Sequence, residues 1–315
     1  LKAWQAFLRG DHHTDLDRLR AAVGFSWLRC QQAQVNPNQQ NAPLSDDDLN
    51  QRFASQRELL DASLPIMKEA RQYLAESGSV MALADAQAHL LRTEGDTRTL
   101  GFAENIHFLP GACWSESACG TNAIGTALAI GQPIQVHSSE HYCEGIKRWT
   151  CSAAVIRHPV DSTIVAAVDI SGLSSSYSRQ NLALAVQVAG RIESRLMEAE
   201  LQWRYHLLDA AMSWLVRSDR QGVLLFDRRG RLVRTNGLVI EQFDPQAFGG
   251  RRLASWTIDE IVRQADGDAR PGWQGFDPRG IRREQVMHNG QLLGSVLLLP
   301  PRDPVRHLPQ TRMAG

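Results

Sequence analysis

Residues 111–131 read GACWSESACGTNAIGTALAIG, in which a tryptophan, a glutamate, two cysteines and an asparagine precede a run of small residues. The run predicts a helix over residues 116–130 with Glu116 near its N-terminus, where the helix dipole favours a carboxylate. A few polar groups in a small apolar cavity are typical of a small-molecule site. Small side chains would let this helix lie very close to a sheet or leave room for a ligand; they are Gly120, Ala123, Gly125, Thr126, Ala127 and Ala129.

Two other interpretations of this stretch fit less well. Gly120, Gly125 and Gly131 match neither a Walker A loop nor a G-x-G-x-x-G dinucleotide fingerprint. Cys113 and Cys119 flank the predicted helix start, where the pKa of a thiol falls. However, no nucleophile motif surrounds them, and free cysteines are more often small buried apolar groups. The residues therefore favour a ligand pocket over a phosphate loop or a catalytic cysteine.

The stretches around residues 111–131 predict strands. VMALADAQAHLL (80–91) is typical of a strand, a tight turn and a second strand. Apolar runs at 133–139, 151–159 and 163–172 predict further strands, and their short connections indicate antiparallel pairing. The sequence thus predicts an α+β fold whose central domain, residues 78–178, contains an antiparallel sheet.

A polar loop, within VHSSEHYCEGIKRWTCSAAV (136–155), joins two of the predicted strands. Loops on a rigid sheet commonly carry binding function. His137, His141 and Cys143 are candidate metal ligands, but they lack the paired C-x-x-C spacing that indicates zinc. A loop whose Trp149 closes over a ligand is favoured, with core packing of Trp149 as the alternative.

Residues 1–77 predict a helical region. Leu16, Leu19, Val23, Trp27 and Cys30 recur at steps of three and four, as on one face of a helix. A Pro- and Asn-containing stretch interrupts the pattern. A capping box of Ser45 and Asp48 then predicts a second helix that runs to about Ser77, and Pro65 should kink or split it.

The apolar pattern of residues 179–216 predicts a long linker helix. This helix would pair with the same helix of a second copy in a homodimer. Its apolar residues alternate steps of three and four, which is the heptad seam that joins two helices. A single helix packed on its own domain needs a similar stripe and is the alternative. The predicted dimer seam consists of Leu182, Ala185, Ala189, Ile192, Leu196, Ala199 and Trp203.

A second domain is predicted over residues 217–301. GVLLFDRRGRLVRTN (222–236) is typical of strand, turn and strand, and GQLLGSVLLLP (290–300) of a closing strand. SWTIDEIVRQA (255–265) predicts a short helix between them. Residues 302–315 predict a C-terminal linker.

Composition narrows the function classes. The 315 residues suit two domains, and 34 Lys plus Arg against 34 Asp plus Glu give no basic footprint for nucleic acid. Five cysteines without paired spacing and the lack of a signal peptide predict a cytoplasmic protein. The lack of an apolar run of ~18 residues predicts no membrane span. A start at Leu and an end in HLPQTRMAG suggest a piece of a longer protein.

Three stretches together carry a family resemblance. WSESACGTNAIGTALAIGQPIQV (114–136), EHYCEGIKRWTCSAAVI (140–156) and VDISG (168–172) resemble the GAF domain of the AcoR-type acetoin-catabolism regulators, which are sigma-54-dependent transcriptional activators. SWLRC (26–30) resembles a segment that lies upstream in that family. Residues 222–236 resemble the opening of the PAS domain that follows the GAF domain there.

The resemblance implies a sensory region rather than an enzyme. In the family an AAA+ ATPase and a helix-turn-helix domain follow, and they act on sigma-54 RNA polymerase; this chain has neither a Walker A sequence nor a basic recognition helix. The implied effector is a small oxygenated metabolite such as acetoin, 2,3-butanediol, a related alcohol or aldehyde, or dihydroxyacetone. Departures from the family are Ala88 at the end of the first turn, where Gly is usual, and His137, where a small residue is commoner.

The residues and the resemblance together predict a ligand site without catalytic residues, cofactor or metal. Asp169 is a carboxylate within an apolar strand and therefore needs a partner. The predicted ligand-binding residues are Trp114, Glu116, Thr121, Asn122, His141, Trp149, Thr150 and Asp169.

Two alternatives remain open at this point. One is a redox or metal sensor that uses the cysteines and histidines of the central domain. The other is an enzyme like free methionine sulfoxide reductase, with Cys113, Cys143 and Cys151 as redox partners. The PAS-like domain is interpreted as a relay or dimerisation module rather than as a second ligand site.

Overall fold

The computed structural model describes residues 1–10, 19–45, 48–176, 178, 180–217, 221–236, 239, 257–261 and 280–299. The chain divides into two compact units, Leu1–Glu198 and Ala199–Gly315. Along the described part of the chain, no helix is both long and apolar enough to cross a membrane.

The first unit combines helices with one antiparallel sheet. Its helices are α1 (Lys2–Leu8), α2 (Ala21–Gln32), α3 (Leu49–Ser55), α4 (Arg57–Leu74), α5 (Thr97–Glu104), α6 (Glu116–Cys119), α7 (Ala123–Ile130) and the first part of α8 (Gln180–Arg217). Its strands are β1 (Ser79–Asp85), β2 (Leu90–Gly95), β3 (Ile134–His137), β4 (Trp149–Arg157) and β5 (Ile164–Leu173).

The five strands pair in the order β2-β1-β5-β4-β3, and every pair is antiparallel. The predicted antiparallel sheet is therefore confirmed. The β1–β2 turn ends at Ala88, which has a positive φ of 65°, so alanine occupies a left-handed position that glycine adopts more easily. The Asp85 carboxylate supports this turn by accepting the backbone N–H groups of Gln87 and His89, each at 2.9 Å.

The two faces of the sheet support two separate cores. The first face packs against α2, α7 and the loops around them; it carries Val80, Ala82, Ala84, Val136, Cys151, Ala153 and Ala167. The second face packs against α4 and α8; it carries Met81, Leu83, Leu91, Ala154, Ile156, Ala166, Val168 and Ile170. Successive side chains of a strand point to opposite faces, so β1, β2, β4 and β5 contribute to both cores, whereas β3 contributes only to the first.

The second predicted helix is divided, but not at the proline. Asp48 caps α3 by accepting the Asn50 N–H at 2.8 Å, and the break between α3 and α4 falls at Gln56. Pro65 lies inside α4, so the predicted split at Pro65 was wrong, and the alternative of a kink at Pro65 stays a prediction. Pro65 and Asp61 are both on the exposed side of the helix. Water can therefore hydrate the Asp61 carbonyl that the proline leaves without a donor.

The single helix predicted over residues 116–130 is also two helices. Gly120 ends α6 with a φ of 68°, and Asn122 begins α7 from an extended conformation. Thr121 and Asn122 therefore lie in the break rather than on a helix face.

The predicted dimer seam on α8 faces the chain's own core. Ala185, Ala189, Ile192 and Leu196 are buried in the core of the second face, so these residues are not available to a partner helix. The alternative of a helix packed on its own domain describes them correctly. Leu182 is half-buried, Ala199 is exposed, and Trp203 packs in the core of the second unit.

The second unit contains a four-stranded antiparallel sheet. The strands β6 (Val223–Asp227), β7 (Leu232–Thr235), β8 (Arg282–His288) and β9 (Gln291–Leu298) pair in the order β7-β6-β9-β8. Leu207 and Ala211 of α8 pack on one side of this sheet, and Ile258 and Ile261 pack on the other. Of the helix predicted over residues 255–265, only 257–261 are described, and residues 302–315 lie outside the described residues.

Candidate functional site

The Asn122 side chain forms hydrogen bonds with backbone groups around the α6–α7 break. Its side-chain amide donates to the Trp114 and Gly120 carbonyls, both at 2.8 Å, and its Oδ1 accepts the Gly125 N–H at 2.9 Å. Every one of these contacts is an N-cap or turn contact. Asn122 therefore shapes the break and has no hydrogen left to give a ligand.

Glu116 is the centre of a buried polar cluster that holds α2. Its carboxylate accepts Arg29 Nε at 2.6 Å and Arg29 Nη2 at 2.9 Å, and it accepts the Ser26 hydroxyl at 2.5 Å. The Ser26 hydroxyl also lies 2.6 Å from Thr121 Oγ1. A bidentate Arg–carboxylate pair is both strong and directional. Glu116 and Thr121, predicted to bind ligand, instead fasten α2 to the α6–α7 break.

Trp114 is a core residue of the same region. It is 1% exposed, its ring meets Phe108 edge-on with centroids 5.1 Å apart, and its Nε1 lies 3.4 Å from the His107 carbonyl. Trp114, which was predicted to bind ligand, is therefore a core-packing residue in the structure.

Gly125 lets α7 lie against the backbone of residues 114–116. A Cβ at this position would be 2.6 Å from the Trp114 carbonyl oxygen and 2.7 Å from the Glu116 nitrogen. Both are backbone atoms, which cannot rotate away as a side chain can. The small residues of α7 predicted a close contact between this helix and its neighbours. The structure shows such a contact at Gly125, with the backbone of residues 114–116.

Replacing Gly125 by alanine is expected to destabilise the first unit by about 3 kcal/mol, because the added methyl group overlaps backbone. Gly190→Ala in α8 is the matched control, since nothing lies within 4 Å of its added Cβ; we expect it to stabilise by about 1 kcal/mol. Urea unfolding of the two variants measures both changes. Equal and small effects would contradict the close contact.

A segment that covers the first face, residues 138–148, carries His141. The His141 side chain is fully buried, and its Nδ1 lies 3.0 Å from the Ser138 carbonyl. A carbonyl only accepts, so Nδ1 carries the hydrogen and Nε2 is the acceptor of the neutral ring. Nε2 has no hydrogen-bond partner. Burial lowers the pKa of His141 to about 3, and the nearby Lys147 and His137 lower it further, so the ring is neutral at pH 7.

The N-terminal helices hold this covering segment in place. Trp4 Nε1 donates to the Tyr142 carbonyl at 2.8 Å, and Trp27 Nε1 donates to the Glu140 carbonyl at 2.7 Å. Lys147 Nζ donates to the His141 carbonyl at 2.5 Å and lies 3.8 Å from the centroid of the Trp4 ring. The position of His141 is therefore coupled to α1 and α2.

Asp169 lies on the first face, in the middle of β5. It is fully buried; Oδ2 accepts the Ser171 hydroxyl at 2.5 Å, whereas Oδ1 has no partner. Its neighbours on the adjacent strands are Ala82 and Ala153, which are too small to cover a carboxylate. Burial raises the pKa of Asp169 to about 7, although hydrogen bonds from Ser171 and the Ser152 backbone lower it. Asp169 is thus only partly ionised at neutral pH.

The side chains of Trp149 and Thr150 have no buried polar atom that lacks a hydrogen-bond partner. Trp149 is 3% exposed and belongs to the first-face core, as its packing alternative predicted. Thr150 Oγ1 lies 2.7 Å from His137 Nδ1 and 3.3 Å from Ser174 Oγ. His137, which departs from the family pattern, is therefore engaged by Thr150.

Four of the five cysteines, all but the partly exposed Cys113, have the properties of buried apolar groups. Burial raises the pKa of Cys30 to about 11 and that of Cys143 to about 12, and it raises the pKa of Cys119 and Cys151 well above 9. Thiolates at these positions are scarce at pH 7, which disfavours the redox alternative. Among the described residues, no group of three or more His, Cys, Asp or Glu side chains is placed to hold a metal ion.

Four surface concavities of 290–450 Å³ lie among the described residues, and none of these four is lined by His141, Trp149, Thr150 or Asp169. His141 Nε2 and Asp169 Oδ1 are both enclosed by protein.

Sequence reasoning missed the partners of the predicted site residues. Ser26, Arg29 and Cys30 are spaced by three and four residues, so they share one face of α2, and all three contact Glu116. That spacing was the signal that could have identified them. Lys147 and Ser171 carried no comparable signal.

Comparisons with known proteins agree with this architecture. The family model described as "MimR, N-terminal domain" matches residues 2–194. A chain of the solved E. coli DhaR(N)–DhaL complex superposes with a TM-score of 0.59 at 17% identity, over 90% of this chain and 100% of that chain. At this identity the match supports the fold alone.

Three curated relatives are transcriptional activators or regulators. The acetoin dehydrogenase operon activator AcoR of Bacillus subtilis is 35% identical over 62% of this chain and 32% of its own length. The acetoin catabolism regulatory protein of Cupriavidus necator is 31% identical over 69% and 33%. The propane 2-monooxygenase operon activator MimR of Mycolicibacterium goodii is 29% identical over 62% and 33%.

The chain thus spans about a third of the length of these relatives, and the resemblance to AcoR-type activators is confirmed. The relatives are regulators rather than enzymes. Because the family model covers residues 2–194 of the 315, the chain belongs to the MimR N-terminal domain family, the regulatory N-terminal region of transcriptional activators.

Proposed function

We propose that this chain is the effector-sensing region of a bacterial transcriptional activator, and that a small oxygenated metabolite binds between the first face of the sheet and the covering segment. The observation that carries the proposal is that two of the buried side-chain atoms without hydrogen-bond partners, His141 Nε2 and Asp169 Oδ1, belong to this region. A buried polar atom without a hydrogen bond is unfavourable by roughly 1–3 kcal/mol. An oxygenated ligand that reaches either atom would supply a missing bond.

The names of two relatives favour acetoin or a related diol such as 2,3-butanediol. AcoR and the Cupriavidus necator protein are both named for acetoin. MimR is named for a propane 2-monooxygenase operon.

The covering segment connects the ligand to the rest of the chain. Ligand binding requires this segment to move, and Trp4 and Trp27 hydrogen-bond its backbone. An effector shifts a conformational equilibrium only by its difference in affinity for two states. The closed segment, fastened to α1 and α2, is the state that a ligand hydrogen-bonded to His141 would favour.

The remaining predictions extend this proposal to the whole protein. Residues 78–178 would be a GAF domain, residues 217–301 a PAS domain and residues 179–216 the linker between them. An AAA+ ATPase and a DNA-binding domain outside this chain would contact sigma-54 RNA polymerase in the cytoplasm. A homodimer through α8 would use the exposed Val186 and Met197, because Ala189 and Ile192 are buried.

Titrating the fragment calorimetrically with acetoin, 2,3-butanediol and dihydroxyacetone is the direct test, and a cyclic nucleotide serves as the unrelated ligand. We expect saturable binding of at least one of the three oxygenated compounds. Ala153→Val should abolish it, because the added methyl groups fill the space beside Asp169.

Ala154→Val is the matched control for Ala153→Val. Both alanines are buried in β4, but Ala154 lies on the second face, so its substitution strains the fold without reaching the ligand. Ligand binding that survives Ala153→Val, or that is lost equally in both variants, would contradict a site on the first face.

A further inference from the structure

One of the four surface concavities combines apolar walls with a cation, and we call it the Arg29 pocket. It has a volume of 330 Å³ and lies where the end of α2, the β1–β2 turn, the start of α6 and α7 meet. This volume is close to the lower limit of small-molecule sites. The apolar walls consist of Ala33, Ala86, Ala88, Leu128 and Ala129.

Arg29, which lines this pocket, still has hydrogen-bond donors to offer. A guanidinium carries five N–H groups. The bonds that the described residues show for it are one from Nε and one from Nη2, both to the Glu116 carboxylate. Three N–H groups remain, and two of them lie on the Nη1–Nη2 edge, which can hold a second carboxylate in a bidentate pair. The Arg29 side chain retains 39% exposure, so the Glu116 pair does not seal it off.

Two hydroxyl groups that line the same pocket add another donor. Ser115 Oγ and Ser117 Oγ lie 3.1 Å apart, so one hydroxyl donates to the other, and the accepting hydroxyl keeps a hydrogen for a ligand. Ser115 is the N-cap residue of α6, but its side chain makes no capping hydrogen bond. The helix therefore does not require this hydroxyl group.

The charges and donors of the pocket favour a carboxylate. Its charged lining residues are Arg29 and Glu116, whose charges balance, and the guanidinium would repel an ammonium group. The remaining donors need an acceptor, and a carboxylate matches the planar guanidinium edge with charge-assisted bonds, which are about twice as strong as neutral ones. Glu116 holds the other edge of the guanidinium, so the cation lies between the two carboxylates and offsets their repulsion.

We propose that the Arg29 pocket is a second ligand site and that it binds a short-chain monocarboxylate. The carboxylate pairs with the Nη1–Nη2 edge of Arg29 and accepts the free hydroxyl hydrogen of Ser115 or Ser117. The alkyl chain packs against the alanine and leucine walls. Because the same guanidinium fastens α2 to Glu116, the ligand binds the chain with α2 in place and stabilises that arrangement.

Calorimetric titration at pH 7 with four probes of equal carbon number tests the proposal. The probes are butyrate, butyramide, butylamine and 1-butanol. We expect butyrate to bind with a Kd of about 1 mM and the three others to bind at least about tenfold more weakly, because they lack the charged acceptor. Salt should weaken butyrate binding severalfold between about 20 and 300 mM sodium chloride, because part of the ion pair faces water.

Two variants locate the site without disturbing the Arg29–Glu116 pair. Ala129→Met fills the pocket and should abolish butyrate binding, whereas Ala54→Met changes an equally exposed helical alanine in α3, outside the pocket, and should not. Ser115→Ala should weaken butyrate about threefold to tenfold, as expected for one lost hydrogen bond. Saturating butyrate should raise the urea midpoint of the wild type but not that of Ala129→Met.

Two further variants separate the Arg29 contact from the first face. Arg29→Lys keeps the positive charge but removes the second edge, so butyrate should bind at least about tenfold more weakly to the folded variant. Ala153→Val, on the first face, should leave butyrate binding unchanged. Absence of saturable butyrate binding, equal binding of butyramide, or binding that survives Ala129→Met but is lost in a folded Ala153→Val would each overturn the proposal.

Discussion

Replacing Arg29 by methionine is expected to destabilise the first unit by about 3 kcal/mol, because it leaves the Glu116 carboxylate buried without its counter-charge. Removal of one partner of a buried pair is unfavourable by 3–5 kcal/mol in general. Arg29 retains 39% exposure of its side chain, so water can partly reach the vacated space, and the lower end of that range applies. Urea denaturation followed by tryptophan fluorescence measures the change.

Arg191→Met is the matched control for this prediction. Arg191 also pairs with a glutamate, Glu69, at 2.5 Å, but both side chains are about half exposed, at 52% and 47%. Exposed pairs contribute little, so no measurable change is expected. The double variant Arg29→Met with Glu116→Gln should recover part of the loss, because no uncompensated charge then remains. An Arg29→Met variant as stable as wild type would contradict the role of this pair in holding α2.

The second large effect concerns the pH dependence of the unfolding free energy. In the wild-type protein the contributions of Asp169 and His141 change with pH in opposite directions and offset each other. The folded-state pKa of Asp169 is raised from 3.8 to about 7, so its contribution to stability is fully present below pH 3.8 and is lost as pH rises to 7. The folded-state pKa of His141 is lowered from 6.5 to about 3, so its contribution is present above pH 6.5 and is lost as pH falls to 3. Between pH 4 and 6.5 the two slopes cancel.

Single substitutions should reveal each dependence. Relative to wild type, Asp169→Asn should gain roughly 4 kcal/mol of unfolding free energy between pH 4 and pH 7, since one pKa unit corresponds to about 1.4 kcal/mol. Relative to wild type, His141→Asn should gain a similar amount as pH falls from 6.5 to 3. Denaturant unfolding at half-unit pH intervals measures both differences. Differences from wild type that do not change with pH would show that neither group is as buried as the structure places it.

Much of the first unit's sheet was predictable because local patterns determine it. The mostly apolar runs of β1, β4 and β5 and the short turns of their hairpins are visible in the sequence. Gly120 and Pro65 were harder to interpret, because each permits two outcomes. The left-handed φ of Gly120 is decided by the tertiary contacts of Thr121 and Asn122, and Pro65 is tolerated because its side of α4 faces water.

The stripe on α8 shows a different limit of sequence reasoning. A helix packed on its own sheet and a helix packed on a partner helix both need apolar residues at steps of three and four. The period of Ala185, Ala189 and Ile192 therefore identified a buried face without identifying what covers it. Only the second-face core in the folded unit decides that question.

The candidate site was predicted in part, since residue type alone does not reveal whether a polar side chain is already paired. Glu116, Thr121 and Asn122 looked like ligand groups because they are polar residues in an apolar stretch, but their hydrogen bonds are used within the protein. His141 and Asp169, which were predicted on the same grounds, retain an unpartnered atom. That difference depends on neighbours: Ser26, 90 positions away, bonds Glu116, whereas Ser171, two positions away, bonds only one oxygen of Asp169.

The fastening of the covering segment by α1 and α2 has a consequence for how the chain is made. Trp4 and Tyr142 are 138 positions apart, and Trp27 and Glu140 are 113 apart. Contacts between such distant positions form slowly and late. On a ribosome, α1 and α2 emerge long before the segment that they hold, so their tryptophans stay exposed until the middle of the domain is synthesised. Chaperone binding to these first residues would therefore coincide with the period before the site can assemble.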